Sequence, residues 1–326
     1  MTSSPWQLEL KQSVTNYLEL FRLLNLDEKS IKLNPSHDFP LLVTRSFINR
    51  IKPNDPMDPL LLQILPSYKE TINNKHCLFD PLQEEQVNNT PGLLHKYKGR
   101  VLILCTKSCF IRCRFCFRKN FPYSTNIASG QNLENIIKYI KQDPSIHEII
   151  LSGGDPLIAP NIYFKQLIEI LEPISNITTF RIHSRAPIVM PSRLEPELIN
   201  IFKNSRFNIV LVTHCNHPNE INDEVIEFFS YLKNSNITLL NQAVLLKNIN
   251  DNANILADLS KKLFSIKILP YYLHLLDPVT GTNHFKVKLA HAKQIFTELQ
   301  TMLPGYLVPR FVTEQPQALN KVLLFP

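Results

Sequence analysis

Glycine is scarce in this chain, seven residues in 326 against 24 prolines. With so few freely turning positions, the one adjacent pair, Gly153-Gly154, stands out. Long apolar runs are missing too, and no segment approaches the length of a bilayer span, so no membrane association is expected. The start, Met1-Thr-Ser-Ser-Pro-Trp6, lacks the basic stretch and apolar core of a secretory leader, and none is expected. Basic residues exceed acidic ones, giving a net charge of +7. Yet no basic run is longer than a pair such as Lys261-Lys262, whereas a nucleic-acid footprint would cluster them. A solvated surface is expected, with no nucleic-acid partner; a cleft for a small anionic cofactor is an equally simple reason for the excess. What remains is ordinary for a globular enzyme: 44% hydrophobic and 19% charged residues, long enough for a full core.

Six cysteines are present, and four crowd into Cys105-Thr-Lys-Ser-Cys109-Phe-Ile-Arg-Cys113-Arg-Phe-Cys116. The last three follow a C-x3-C-x2-C spacing directly after the apolar run Val101-Leu-Ile-Leu104. That run predicts a buried strand, with the last three cysteines on the loop leaving its end. Closely spaced thiolates wrap one metal centre at little chain-closure cost. Iron–sulfur cubanes and structural zinc both use such ligands. Zinc asks for a fourth Cys or His, for which Cys105 or the upstream His95 are available. A cubane needs only three and keeps one iron open. Free thiols of either kind suit a reducing cytoplasm.

Residues 6–24 carry apolar side chains at helical spacing and predict one helix. Residues 34–66 are punctuated by Pro53, Pro56, Pro59 and Pro66, so the first 98 residues are expected to form a helical, loop-rich region packed on the rest. From Arg100 strands alternate with helices, the pattern of a parallel sheet with helical crossovers. Strands are expected at 101–105, 148–152, 179–183, 208–213, 238–244 and 266–273. Helices are expected at about 133–142, 163–172, 195–202, 220–233 and 252–264. The division expected is 1–98, a core over 99–303, and a C-terminal segment over 304–326.

In parallel βα folds the chemistry gathers at the carboxyl ends of the strands. Here those ends carry Ser152-Gly-Gly-Asp155, Arg181-Ile-His183-Ser-Arg185, Thr213-His214-Cys215-Asn216-His217 and Asn241-Gln242. Pro270-Tyr-Tyr-Leu-His274-Leu-Leu-Asp277 follows the last strand. Singly, each histidine is an ordinary core or surface residue; five decorated strand ends in succession point to a site. The glycine pair is expected to offer backbone N–H groups to an anionic ligand.

The cysteine loop, with Phe115 before its last cysteine and the Gly-Gly-Asp turn one strand later, resembles the radical S-adenosylmethionine (SAM) superfamily. That resemblance implies an open six-stranded (βα)6 partial TIM barrel and a [4Fe–4S] cluster on Cys109, Cys113 and Cys116. It further implies that the cluster's open iron chelates SAM, with Gly153, Gly154 and Asp155 at the methionyl amino group. With the later motifs added, residues 47 to 321 resemble the lysine 2,3-aminomutase family. The short form is most similar to the bacterial branch that makes (R)-β-lysine for modifying elongation factor P.

Family resemblance adds pyridoxal 5′-phosphate (PLP) and a lysine that holds it covalently, by position Lys321, with Lys247 and Lys288 as alternatives. It implies Arg100 and Tyr97 beside the PLP phosphate and substrate, and Gln242 on the cofactor side. Arg118 would grip the substrate carboxylate, while Asp277 and Glu314 would bracket the distal ammonium of L-lysine. A flavodoxin or ferredoxin would supply electrons, and an elongation factor P lysine ligase would take the product. Three departures are visible: Glu314 stands where the long form has an aspartate, Pro316-Gln-Ala-Leu-Asn320 replaces the glycine-rich lead-in to the PLP lysine, and no cysteine follows Lys321. No intersubunit zinc is therefore expected. A zinc-stabilised basic regulator, or a radical SAM aminomutase acting on another amino acid, are the other readings.

Overall fold

The computed structural model describes residues 4–33, 39–72 and 75–325. Met1 to Ser3, where no leader is expected, and residues 34–38 of the proline-punctuated tract lie outside the described residues. One sheet of ten strands runs in chain order. They are β1 (Asn88–Thr90), β2 (Leu93–Tyr97), β3 (Arg100–Thr106), β4 (Glu148–Gly153), β5 (Thr179–Ser184), β6 (Asn208–His214), β7 (Thr238–Leu245), β8 (Leu269–Leu275), β9 (Arg310–Thr313) and β10 (Val322–Leu323). Strands β3 to β9 pair in parallel, and antiparallel pairs β1–β2, β2–β3 and β9–β10 finish the two ends. No pairing among the described residues joins β1 to β10, so the curled sheet stays open. The six expected strands are β3 to β8. The flanking strands are too short or too polar to carry a strand pattern of their own.

Crossover helices Gln131–Gln142, Asn161–Leu171, Pro196–Lys203, Asp223–Ser230 and Ala253–Ser265 match the expected positions to within a few residues. Each buries an apolar stripe, as Ile136, Ile137 and Ile140 do on the first. The outward residues of the strands meet them: Phe180 of β5 lies against Phe202 of the third helix with centroids 6.4 Å apart, and Phe164 of the second helix sits edge-on to that ring. Each such buried ring is worth about 1.5–3 kcal/mol of burial. Among the described residues no helix is long and apolar enough to cross a membrane.

Two local expectations are corrected. Residues 6–24 form two helices, Pro5–Lys11 and Tyr17–Leu24, because Val14 leaves the helix to bridge Val43 and Asn16 caps a fresh start at Leu18 N–H. Strand β8 begins at Leu269, three residues late, because Lys267 turns the chain through φ +67°. The N-terminal region is tied to the barrel rim by polar contacts. Trp6 Nε1 donates to Glu195, Arg50 to the Ile188 carbonyl, and Gln63 to Glu220.

Candidate active site

Side chains alternate across a strand, so every second residue of β3 to β8 faces the hollow of the sheet. On β5 the alternation sends Phe180 and Ile182 outward to the core and Arg181 and His183 inward. The same rule turns Arg100, Ser152, His214, Gln242 and Tyr272 inward on their own strands, all only half-buried except Ser152. This hollow holds the polar residues singled out in the sequence.

The cysteine loop closes one end of it. Cys109, Cys113 and Cys116 are free thiols; burial pushes Cys109 up and Cys116 up to about 11, and Cys113 lies close enough to both to add to it. Cys116 N–H caps the loop on the Cys113 carbonyl at 3.0 Å. No three His, Cys, Asp or Glu side chains among the described residues gather tightly enough for a single ion. Cys105 faces the apolar core on β3, and His95 is taken by the Tyr139 hydroxyl at 2.8 Å. Neither of the two fourth-ligand candidates joins the three cysteines. Thiolates spread over separate corners of a cubane suit this arrangement better than one tetrahedral zinc does.

The glycine pair does a different job from the one expected. Gly154 N–H donates to the Thr106 carbonyl at 2.7 Å and Asp155 N–H to the Ser108 carbonyl at 2.8 Å, so these donors are spent on the cysteine loop. A Cβ on Gly154 would stand 2.2 Å from Ser108 O, and Gly153 adopts φ +124°. The glycines are required because the two loops lie backbone to backbone. Gly154→Ala is expected to push the cysteine loop away and to lower iron occupancy after reconstitution at least severalfold, measured as iron per chain. The Asp155 carboxylate is likewise spent, accepting from Leu157 N, Ser184 Oγ, Arg185 N and Ala186 N at 2.6–3.1 Å. All of its lone-pair directions are filled by protein donors. It latches the β4 and β5 loops together.

Arg118 is buried and presents its Nε and Nη2 to Glu84 as a bidentate pair, at 2.7 and 2.6 Å, while Nη1 donates to Ser152 Oγ at 2.8 Å. Glu84 carried no signal in the sequence, since nothing there marked a partner for the arginine. Of the guanidinium's five donors two remain on the Nη1/Nη2 end, which is the geometry a carboxylate takes end-on.

At the opposite wall the β9–β10 hairpin brings the C-terminal residues inside. Its register pairs Val322 with Thr313, which sets Lys321 opposite Glu314. Gln317 supplies the left-handed residue of the connecting turn at φ +62°, in place of the glycine-rich lead-in. Lys321 Nζ pairs with Glu314 Oε2, and the other oxygen accepts from Tyr97 OH at 2.6 Å and Lys96 Nζ at 3.1 Å. These donors hold the Glu314 carboxyl far below its usual range, with Lys321 the largest contributor against a desolvation cost. Burial and the neighbouring carboxylate hold Tyr97 protonated, and the Arg100 guanidinium lies 4.8 Å from its ring centre. Asp277 responds in the opposite sense: burial, then repulsion from Glu314, pushes it up to about 7. Lys247 and Lys288 are both exposed, so of the three candidates Lys321 is the half-buried one that meets Glu314. Lys96, on the short strand β2, was not singled out in the sequence.

An α/β barrel left open on one side, with three cysteines on the loop after its first long parallel strand, is the architecture of a radical SAM protein. Residues 103–259 match the family described as the radical SAM superfamily. The chain is 46% identical to the L-lysine 2,3-aminomutase of Buchnera aphidicola subsp. Baizongia pistaciae, over 98% of this chain and 95% of that one. It is 44% identical to the Escherichia coli protein of the same name, over 95% and 91%. To the longer Clostridium subterminale protein it is 33% identical, over 98% of this chain and 77% of the other. The chain belongs to the lysine 2,3-aminomutase family.

The residues present fit the cofactors of that family: a [4Fe–4S] cluster, SAM and PLP. Three coupled thiols stand ready for the cluster. His183 Nε2, Arg181 Nε and Arg185 Nε are buried without a partner among the described residues, as polar atoms waiting on a ligand would be. Lys321 would hold PLP, and the Tyr272 ring centre lies 5.7 Å from its nitrogen.

Proposed function

We propose that this chain is a radical SAM, PLP-dependent L-lysine 2,3-aminomutase, an isomerase that moves the α-amino group of L-lysine to the β carbon. The observation that carries the reading is the division of charge across one hollow. A guanidinium with two free donors and two carboxylates that act on one another, Asp277 and Glu314, border it. A substrate with a carboxylate at one end and a distal ammonium at the other satisfies both; an acidic amino acid would meet repulsion from Asp277 and Glu314. Cysteines 109, 113 and 116 would hold the cluster, and Gly153, Gly154 and Asp155 would serve SAM indirectly by fixing the cysteine loop. Gln242 would lie on the cofactor side, and Arg100 is suited to the PLP phosphate.

When bound, the cofactors supply an oxidant able to take an unactivated hydrogen and a carrier for the migrating nitrogen. The protein's part is orientation. Arg118, fixed by Glu84 and Ser152, would bind the substrate carboxylate. Glu314 is held ionised by its donors and would bind the distal ammonium together with Asp277. Tyr97 keeps its proton and donates it to Glu314, fixing that carboxylate's direction. Phe115, Leu246, Ile249 and Phe285 form a small apolar cluster beside the cysteine loop, which keeps water from a radical site.

Asp277 gives a pH signature. Its ionised form attracts the ammonium, so binding is complete above about pH 7 and weakens as the pH falls through that value. KM for lysine is expected to rise toward about tenfold per pH unit below it, and Asp277→Asn should have a high, flat KM. A wild-type KM that stays level from pH 8 to 5.5 would remove Asp277 from the site. The reading itself is tested by anaerobic incubation with lysine, SAM, PLP and a reductant. β-Lysine at no more than the level of a Cys113→Ala control sinks it, and parallel incubations with glutamate and arginine settle the substrate.

On the family resemblance, we further propose an (R) product delivered to an elongation factor P lysine ligase, and a flavodoxin or ferredoxin as electron donor. Six free cysteines suit a reducing cytoplasm.

A further inference from the structure

Arg185 leaves the end of β5 and turns back under the cysteine loop. Its Nη1 donates to the Cys113 sulfur at 2.7 Å. Its Nη2 is gripped by Glu220 Oε2 at 3.0 Å and Gln63 Oε1 at 2.7 Å, and its own N–H is tied to Asp155 at 2.8 Å. Glu220 is completely buried, and Arg185 is only 6% exposed. The other Glu220 oxygen accepts from Gln63 Nε2, Asn216 N and His217 N at 2.9–3.1 Å. Three segments distant in sequence thus converge to fix one guanidinium on one sulfur. A surface pair would need none of this clamping. Burying a charged pair so completely costs desolvation energy that a purely structural contact avoids with apolar residues. Nε remains without a partner, so the group is not saturated by the fold.

We propose that Arg185 is a positioning residue for electron uptake: clamped by Glu220 and Gln63, it fixes a positive charge on the Cys113 sulfur and so sets the reduction potential of the cluster. This rests on the reading that Cys109, Cys113 and Cys116 bind a [4Fe–4S] cluster. In the step concerned, one electron passes from an external one-electron donor protein into the oxidised cluster, which becomes one charge more negative. A fixed cation hydrogen-bonded to a ligating sulfur stabilises the reduced side and raises the potential. Glu220, a buried anion one residue further away, offsets part of that effect. A planar fork can hold sulfur, carboxylate and amide together, which the single ammonium of a lysine cannot.

The two groups should therefore move the potential in opposite directions, which a merely structural network would not do. The test is a potentiometric titration of the reconstituted, PLP-loaded enzyme without SAM, followed by the electron paramagnetic resonance of the reduced cluster. Glu220→Gln is expected to shift the midpoint upward and Arg185→Gln downward, with Arg185→Lys between Arg185→Gln and wild type. Midpoints equal to wild type in variants with full iron and sulfide overturn the proposal. If Arg185→Gln fails to fold, Glu220→Gln decides alone: an upward shift supports the assignment, and no shift or a downward one overturns it. A wild-type chain that assembles no cubane overturns the reading beneath, and this inference with it.

Discussion

Cys113→Ala is expected to give a folded chain with little bound iron and no measurable conversion of lysine. A hydrogen on an unactivated carbon is not abstracted by any side chain in the hollow. Turnover should therefore fall by at least about a millionfold, the low end of what enzymes contribute over the uncatalysed rate. The cost to the fold is smaller. Cys113 is only half-buried, and its loss leaves one Arg185 donor unpaired, a penalty of about 1–3 kcal/mol. Circular dichroism should accordingly stay native-like while iron per chain drops. Normal iron and full turnover in this variant would end the cluster assignment.

Lys321→Ala carries the second large effect. Its nitrogen pairs with Glu314 inside the hollow and is the amine proposed to hold PLP, so its removal should abolish the visible absorbance of the lysine-bound cofactor. Turnover should fall on the order of 10²–10⁴-fold, the scale of one lost catalytic group. The cluster should be untouched, because Cys109, Cys113 and Cys116 lie on the far loop. Glu314 keeps Tyr97 and Lys96 as donors, so no buried carboxylate is stranded and stability should change little. Lys247→Ala and Lys288→Ala are the controls: both residues are exposed, and both variants should keep absorbance and activity. Loss of the cofactor band in either of them, with Lys321→Ala unaffected, would move the anchor.

The family was legible in short motifs whose chemistry is local. Three cysteines at fixed spacing after an apolar run place their sulfurs on one loop whatever surrounds them. The β3 to β8 strands were legible for the same reason, since buried parallel strands are apolar along their whole length. The end strands were not. β1 and β10 have three and two residues, and they exist because a neighbour offers unpaired N–H and C=O groups, which no window of their own sequence records. The glycine pair stood out, but the residue type signals close approach, not whether ligand or protein approaches; here the Ser108 carbonyl closes on Gly154. A carboxylate beside a turn likewise looks the same in sequence whether its oxygens are free or filled, as those of Asp155 are.

The sequence by itself determined which atoms could do the chemistry: three thiols, a C-terminal amine, one guanidinium and two carboxylates. Only the tertiary structure decided which of them meet. Glu84 lies 34 residues from Arg118, and Gln63 lies 122 from Arg185, yet each pair touches. Such partnerships depend on how strands and loops far apart in the chain stack into one hollow, and pair energies across that hollow leave no periodic trace along the backbone.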